Sequence, residues 1–248
     1  MLLELIKVLE KSTEQCLEDK IAIAFSGGLD STVLATIAKK RSNVFLFSAG
    51  INGSDDLVYS EKIAKELNVP LEKIILDETR ILDIYKKIYS FCPNNFLKIE
   101  IGVPIYAVCD AAQHKGLNAI LFGSGSEELF VGYDRYYKYL EQGDDLDKIL
   151  KNEFETLKSE DIGMIKKIAY KCGMEARFPF YNNKLAELVF QIPLEERIVE
   201  RELKKGILRE MGKIIGASTL ALARKKKAIQ YGSGVHKILL KHQSLKRG

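Results

Sequence analysis

The stretch IAIAFSGGLDST occupies residues 21–32 of a chain of 248 residues. An apolar strand, a Gly-Gly turn and the first turn of a helix follow one another in it. Such a turn gathers unpaired backbone N–H groups and the positive end of a helix dipole around one point, where an anion is stabilised without a charged side chain. The stretch therefore predicts a phosphate-binding turn.

The side chains of this turn add further donors and one possible metal ligand. The candidate ligand-binding residues are Ser26, Gly27, Gly28, Asp30, Ser31 and Thr32. The glycines permit positive φ and a close approach of the backbone, the hydroxyls donate, and Asp30 could hold Mg²⁺ beside phosphates. The alternative is an ordinary helix with a Ser or Asp cap. Two adjacent glycines and three hydroxyls supply more donors than one cap needs, which favours phosphate binding.

Strands and helices alternate through the first half of the chain. Further strands are predicted at Val44–Phe47, Lys73–Leu76 and Ala119–Phe122, and from about Tyr133 onward we expect strands to give way to helices. This order predicts an α/β fold, a parallel sheet flanked by helices with a mainly helical C-terminal half, in a single domain over residues 1–248.

Ligands of open parallel sheets bind at the carboxyl ends of the strands. The turn at Ser26 and the loops after the second and fourth strands all lie at such ends. We therefore expect Phe47, Phe122 and Gly123 to join the nucleotide-binding residues in one pocket.

Composition excludes several classes of protein. No apolar run approaches the roughly 20 residues that cross a membrane, and four scattered cysteines favour thiols over a disulfide framework or a zinc site. These features predict a cytoplasmic protein. The net charge of +4 is concentrated in a basic tail, Arg224–Lys227 and Lys237–Arg247. Such a run is usually a solvated face, so a nucleic-acid partner is not expected.

Two more motifs stand downstream. Residues 121–133, LFGSGSEELFVGY, again combine a strand, a glycine turn and two acidic residues that open a helix. A helix dipole explains the acidic residues but not the glycines. Residues 173–180, GMEARFPF, place Glu175 two positions before Arg177, where an ordinary surface ion pair is the simplest interpretation.

Together these motifs resemble the synthetase domain of asparagine synthetases and their relatives, including β-lactam synthetase, within the PP-loop ATP pyrophosphatase superfamily. The further matching segments, in order, are Gly53–Asp56, Pro104–Tyr106, Glu175–Phe180, Ile207–Glu210 and the lysine-bearing loop Lys225–Gly234. The resemblance runs from about residue 20 to residue 236. It implies the adenine nucleotide alpha hydrolase-like fold.

The resemblance also implies a reaction. ATP would bind with its pyrophosphate on the Ser26 turn, and Mg²⁺ would be held by Asp30 and Glu127. The carboxylate of a small acid would attack the α-phosphorus, and ammonia or an amine would then attack the acyl-adenylate. Lys226 or Lys227 is the candidate for neutralising charge on the α-phosphate and the intermediate.

Three departures from the family pattern bear on the second half-reaction. Ser124 stands where asparagine synthetases have Glu, and Asn182 replaces an Asp. Serine is a poor proton acceptor without help, so Glu175 becomes the expected base. The chain starts at Met1 without an N-terminal cysteine, and its length leaves no room for a glutaminase domain. We therefore expect it to use free ammonia, another amine or a separate glutaminase subunit.

Three functions follow from these residues. The leading hypothesis is an AMP- and pyrophosphate-forming amide ligase that resembles asparagine synthetase. A tRNA-modifying adenylating ligase is the alternative that the basic tail suggests. A non-catalytic ATP-binding subunit of a glutaminase complex is the alternative that the loss of a base at Ser124 suggests.

Overall fold

The centre of the protein is a parallel β-sheet. A computed structural model describes residues 1–93, 96–199 and 201–242. Its strands are β1 (Lys20–Ala24), β2 (Asn43–Gly50), β3 (Leu71–Ile75), β4 (Ala119–Leu121) and β5 (Glu175–Arg177). They pair in the order β3-β2-β1-β4-β5, with every neighbouring pair parallel.

Helices connect the strands and make up most of the C-terminal half. Those of the first half are α1 (Leu2–Glu14), α2 (Leu29–Ala38), α3 (Asp55–Leu67), α4 (Glu78–Tyr89) and α5 (Phe96–His114). Those that follow β4 are α6 (Ser126–Leu129), α7 (Asp134–Glu141), α8 (Leu146–Thr156), α9 (Asp161–Lys171), α10 (Asn183–Phe190), α11 (Leu194–Arg197), α12 (Gly206–Ile215), α13 (Thr219–Ala223), α14 (Ile229–Gly232) and α15 (Val235–Leu239), with a 3₁₀ turn at Arg201–Leu203.

Burial on both faces explains the continuous apolar run of β1. Ile21 and Ile23 point to the side of α2 and α3, while Ala22 belongs to the larger core on the side of α5. Successive side chains of a strand point to opposite faces of the sheet. When helices cover both faces, every side chain of the strand is buried, and apolar residues are favoured at each position. Because β1 lies between β2 and β4, its carboxyl end reaches the middle of one sheet edge.

The structure confirms the predicted α/β class and the four predicted strands. β2 runs three residues farther than expected, so Ser48 lies in the strand and not in a loop. The prediction that strands stop before Tyr133 is wrong, because Glu175–Arg177 forms a fifth strand beside β4. Only Ala176 of this short edge strand is buried, so it carries almost no apolar signal. Residues 243–248 of the predicted basic tail lie outside the described residues.

Two further expectations concern the whole chain. Within the ranges that the structure describes, no helix has the length and apolarity needed to span a membrane. All four cysteines are free thiols. Treatment of residues 1–248 as a single domain stays a prediction.

Candidate active site

A cavity of about 710 Å³ opens at the carboxyl ends of the strands. As expected from the parallel sheet, the loops after β1 and β4 and the C-terminal half of β2 converge on it. Most of the sequence-predicted site residues line it: Ser26, Gly28, Asp30, Ser31, Phe47, Phe122, Gly123, Glu127, Lys226 and Lys227. Gly27 and Thr32 stand behind this lining and shape the turn, whereas Glu175 lies elsewhere.

The Ser26 turn (residues 26–32) keeps several donors open. Gly28 is the N-cap of α2, and no side chain among the described residues caps that helix end. The Gly28 N–H donates to Ser26 Oγ at 3.2 Å, which folds the hydroxyl back over the turn. The buried Thr32 Oγ1 has no hydrogen-bond partner within the described chain. Open amides and a spare hydroxyl at the positive end of a helix are what an anionic ligand needs.

Gly27 fits only as glycine. Its φ is +69°, and an added Cβ would lie 2.7 Å from the backbone nitrogen of Ser60. Both the left-handed backbone and the close approach of α3 therefore exclude a side chain here. Gly123 is similarly confined, because a Cβ there would lie 2.9 Å from the Cβ of Asp30.

Beside the turn lies a buried group of charges, the Lys205 cluster (Asp30, Ser126, Glu127, Lys205 and Lys226). Four acceptor atoms lie within hydrogen-bond distance of the Lys205 ammonium nitrogen and share its three N–H groups: both carboxylate oxygens of Asp30 at 2.7 Å, Ser126 Oγ at 3.0 Å and Glu127 Oε1 at 2.8 Å. Lys226 donates to the same Glu127 oxygen. Burial alone would raise the pKa of Glu127, but the two lysines outweigh burial and lower that pKa to about 2.

Sequence reasoning missed Lys205. It is separated from Asp30 by 175 residues and stands at the N-cap of α12, where its φ is +64°. Nothing in the local sequence marks it, since two adjacent lysines before a helix are common on protein surfaces. Its side chain is 3% exposed, so burial and not composition identifies it.

The donor set of Asp30 and Glu127 fits a hard divalent cation. Both carboxylates lie within hydrogen-bond distance of one point, the Lys205 nitrogen, and Glu127 Oε2 is buried without a partner in the described structure. Mg²⁺ is usually held by one or two carboxylates together with substrate phosphates. No group of three His, Cys, Asp or Glu side chains in the described ranges forms a metal site without such help.

Arg224 anchors the Ser26 turn from the opposite wall. Its guanidinium donates to the Ser26 carbonyl at 2.5 Å and to Asp56 Oδ1 at 2.7 Å, and its own carbonyl accepts from Arg209 at 3.1 Å. Burial raises the pKa of Asp56 in spite of the lowering effect of Arg224. This first residue of the predicted basic tail is therefore part of the cavity wall and not of a solvated face.

The two lysines between which the sequence did not decide have different surroundings. Lys226 reaches inward to Glu127, and its nitrogen lies 5.9 Å from the centre of the Tyr133 ring. Lys227 pairs with Asp55, and both of these side chains are about half exposed.

The structure does not bring Glu175 to the cavity. It begins β5 and pairs in register with Ala119, the first residue of β4, so it lies at the opposite end of the sheet from Gly123. Its exposed carboxylate accepts from Arg177 at 2.6 Å, and this contact lowers its pKa. The prediction that Glu175 serves this site as a base is thus corrected. Asn182 caps α10 by accepting from the Leu185 N–H at 3.0 Å.

A second acidic residue of the glycine-rich motif does face the cavity. Glu128 is 3% exposed and lines the cavity beside Tyr133 and Arg135. Burial, followed by the nearby charge of Glu127, raises the pKa of Glu128 to about 8. From the sequence alone, the helix dipole explains an acidic residue at this position, but it does not account for the burial of Glu128.

The sheet and the open glycine turn define an α/β protein of the PP-loop class. Comparison with known proteins agrees, because a family model described as asparagine synthase matches residues 4–145 and 138–246. The chain belongs to the asparagine synthase family.

Named relatives are similar over almost all of this chain. A putative asparagine synthetase [glutamine-hydrolyzing] 1 of Methanocaldococcus jannaschii is 31% identical over 90% of this chain and 47% of its own length. Asparagine synthetase B [glutamine-hydrolyzing] of Escherichia coli is 26% identical over 94% of this chain and 45% of its own length. The chain spans about half the length of these curated relatives.

A solved structure shares the fold. The NMN synthetase of Francisella tularensis superposes with a TM-score of 0.51 over 97% of this chain and 84% of its own, at 15% sequence identity. At that identity the likeness concerns the fold alone.

Proposed function

We propose that the cavity is the active site of an AMP-forming, ATP-dependent amide ligase. One observation carries the proposal: an open anion-binding turn and two converging carboxylates with two lysines share one cavity at the carboxyl ends of the strands. Family membership supports it, since the relatives are named as synthetases. A ligase site needs a phosphate cradle next to charges that stabilise a transferring group.

The chain's own residues divide the work on ATP. The amides of α2 and the hydroxyls of the Ser26 turn would bind phosphate oxygens, and Asp30 and Glu127 would hold Mg²⁺. When bound, the metal would supply positive charge to the phosphates. Lys205 now pairs with Asp30, and Lys226 pairs with Glu127. When ATP binds, each lysine would exchange its carboxylate partner for a phosphate oxygen.

The proposed reaction has two steps. A carboxylate oxygen of the acid attacks the α-phosphorus, the α–β bond breaks, and pyrophosphate leaves with the bonding electrons. A nitrogen lone pair then attacks the acyl carbon, AMP leaves with the electrons of the C–O bond, and the nitrogen gives up a proton. Inward orientation of Lys226 supports it, over Lys227, as the residue that neutralises the α-phosphate.

Ammonia or another amine would supply the nitrogen. Both named relatives carry the words glutamine-hydrolyzing and extend well beyond the matched region. A separate glutaminase subunit is accordingly one source of ammonia for this cavity, and free ammonia or an amine is the other.

One observation favours a second candidate function, an ATP-binding subunit without turnover. Glu175 lies outside the cavity, and Ser124 lines the cavity where the family pattern has a carboxylate. The alternative of a tRNA-modifying ligase has less support, because Arg224 and Lys226 of the basic run are engaged with Asp56 and Glu127.

Pyrophosphate and AMP release separate these functions. The protein is incubated with ATP, Mg²⁺, a panel of small acids and either ammonium or hydroxylamine, which traps activated acyl groups. We expect release of both products with at least one acid. Lys226→Ala should lower the rate by about 100-fold or more, as for loss of one transition-state donor. Lys227→Ala should change it by less than about fivefold, because its charge faces Asp55.

Each other outcome has a distinct meaning. ATP binding without AMP formation for any acid would support the non-catalytic function. Formation of ADP would contradict cleavage between the α and β phosphates, and equal losses in the two lysine variants would contradict the role given to Lys226.

A further inference from the structure

A buried carboxyl group lies on α5 behind the lining of the cavity. Glu100 is 2% exposed, and it is not among the described residues that line the cavity, although the next residue, Ile101, is. A carboxylate that is removed from water is stable only when a partner compensates for its lost hydrogen bonds and charge. The partner of Glu100 therefore decides what this side chain does.

His236 of α15 is such a partner. Its Nδ1 lies 2.9 Å from Glu100 Oε1, so an Nδ1–H group of the imidazole donates to the carboxylate. The His236 ring also packs edge-on against the Tyr231 ring, with 4.8 Å between the two ring centres. One hydrogen bond and one aromatic contact thus fix the imidazole between α5 and α14.

The same contact ends a segment that begins in the cavity wall, the lysine segment (residues 224–236). At its start, Arg224 donates to Asp56 at 2.7 Å. Farther along, the Ile51 N–H just beyond β2 donates to the Ser233 carbonyl at 2.9 Å. The lysine segment is therefore attached to the body of the protein at its start, near its end and, through the imidazole, on α5.

The helices around this contact are too short to keep their positions unaided. α14 has four residues and α15 has five, which is about one turn each. An isolated helix of that length is not stable in water. Their placement therefore depends on contacts with other elements. His236 supplies two of these contacts, one to Tyr231 of α14 and one to Glu100 of α5.

Directionality distinguishes the Glu100–His236 pair from the apolar contacts of α15. Val235 and Leu239 are fully buried in the core, and hydrophobic burial is non-directional. A hydrogen bond between two side chains requires both a suitable distance and a suitable angle. The polar pair is thus suited to fixing the placement of α15 on α5.

We propose that Glu100 and His236 are positioning residues, which hold the lysine segment so that Lys226 points into the cavity. Neither of the two side chains lines the cavity. Their effect passes from α15 through Tyr231 and α14 to the loop that carries Lys226. The role of Lys226 in catalysis rests on the proposed ligase function, whereas the placement of its side chain does not.

A double-mutant cycle between His236 and Lys226 tests this inference. Dissociation constants for ATP with Mg²⁺ are measured by equilibrium dialysis for the wild type, for each single alanine variant and for the double variant. We expect Lys226→Ala to weaken ATP binding by about tenfold or more, as for a lost hydrogen bond to a charged group. His236→Ala should weaken binding by about fivefold when Lys226 is present but by less than about twofold when it is absent, because coupled residues are not additive.

His242→Ala is the matched control. His242 Nε2 also lies 2.9 Å from a carboxylate oxygen, Glu78 Oε1, but the side chain of Glu78 is half exposed. This substitution should change ATP binding by less than about twofold, as for an exposed pair. His236→Asn tests rescue, because the Asn amide can still donate to Glu100. It should recover most of the affinity that His236→Ala loses.

Backbone amide hydrogen exchange gives a second readout, which needs no ligand. In His236→Ala, the amides of residues 229–235 should exchange at least about tenfold faster than in the wild type, while those of β1 should not change. If this variant does not fold, Glu100→Gln combined with His236→Ala replaces it, because that combination leaves no unpaired carboxylate buried. The combined variant should show the same effects on exchange and on ATP binding.

Two results would overturn the proposal. Equal losses of ATP affinity from His236→Ala in the presence and in the absence of Lys226 would show that the pair acts on the fold as a whole. Unchanged hydrogen exchange in residues 229–235 would show that the pair does not hold the lysine segment. If no acid supports pyrophosphate release while His236 and Lys226 are coupled in ATP binding, the ligase proposal fails and the positioning role stands.

Discussion

The Ser26 turn and the Lys205 cluster lie side by side in one cavity, yet they are built in opposite ways. The turn consists of contiguous residues, and its amides and the Thr32 hydroxyl are left open. The cluster joins Asp30, Glu127 and Lys205 from three distant parts of the chain, and its charges neutralise one another. Hydrogen-bond donors without a partner can donate to a ligand directly, whereas paired charges must first exchange partners.

The largest expected effect comes from unbalancing the Lys205 cluster. Lys205→Met leaves Asp30 and Glu127 facing each other in a buried site without their main counter-charge. Breaking a buried ion pair on one side typically costs about 3–5 kcal/mol, so we expect the free energy of unfolding to fall by that amount in urea titrations.

Lys213→Met is the matched control, because Lys213 forms an exposed pair with Glu210 on the same helix. It should change stability by less than about 0.5 kcal/mol. Lys205→Arg should recover part of the loss by restoring the charge. A Lys205→Met protein as stable as Lys213→Met would show that the cluster's charges are not balanced by Lys205.

A smaller effect is expected when the backbone of the Ser26 turn is altered. Gly27→Ala places a methyl group against α3 at a φ of +69°, while Gly53→Ala has nearly the same φ, +72°, with no atom within 4 Å of the new Cβ. Gly53→Ala should cost about 1 kcal/mol for the left-handed backbone alone. Gly27→Ala should cost about 2–3 kcal/mol, because overpacking adds to that strain.

Thermal and urea unfolding measure both glycine variants, and equilibrium dialysis measures ATP binding. Only Gly27→Ala should weaken ATP binding, since only Gly27 shapes the open turn. Equal stability losses in the two variants would mean that α3 yields to the methyl group and that the close approach has no role.

The smallest effect concerns two adjacent aspartates whose pKa values move in opposite directions. Lys227 holds the pKa of Asp55 below its ordinary value of 3.8, so its stabilising effect is present above that value and is lost as the pH falls through the lowered pKa. Burial raises the pKa of Asp56, so its contribution is greatest below 3.8 and declines as the pH rises through the raised pKa.

Urea titrations of Asp55→Asn and Asp56→Asn between about pH 3 and pH 6 test these signs. The stability of the wild type relative to Asp55→Asn should increase with pH, by less than about 1 kcal/mol for a half-exposed pair. Relative to Asp56→Asn it should decrease over the same range. Parallel slopes would contradict the opposed shifts.

Local sequence predicted the features that depend on neighbouring residues. The apolar runs of β1 and β2, the glycine turn and its polar donors are all contiguous, so periodicity and turn chemistry reveal them. Lys205 and Glu128 were not foreseen, because their roles come from burial among residues far away in the chain. Glu175 was misplaced because motif order does not reveal at which end of a strand a residue stands.

The three-residue strand β5 also affects how the molecules behave toward one another. It forms one border of the sheet, and its first and last residues are charged. Glu175 pairs with Arg177, which in turn pairs with Glu18 of the loop between α1 and β1. A short border with fixed charges is a poor template for a strand of another molecule. The charge of Glu175 therefore disfavours the pairing of β5 with an exposed strand of another molecule, which is a route to aggregation.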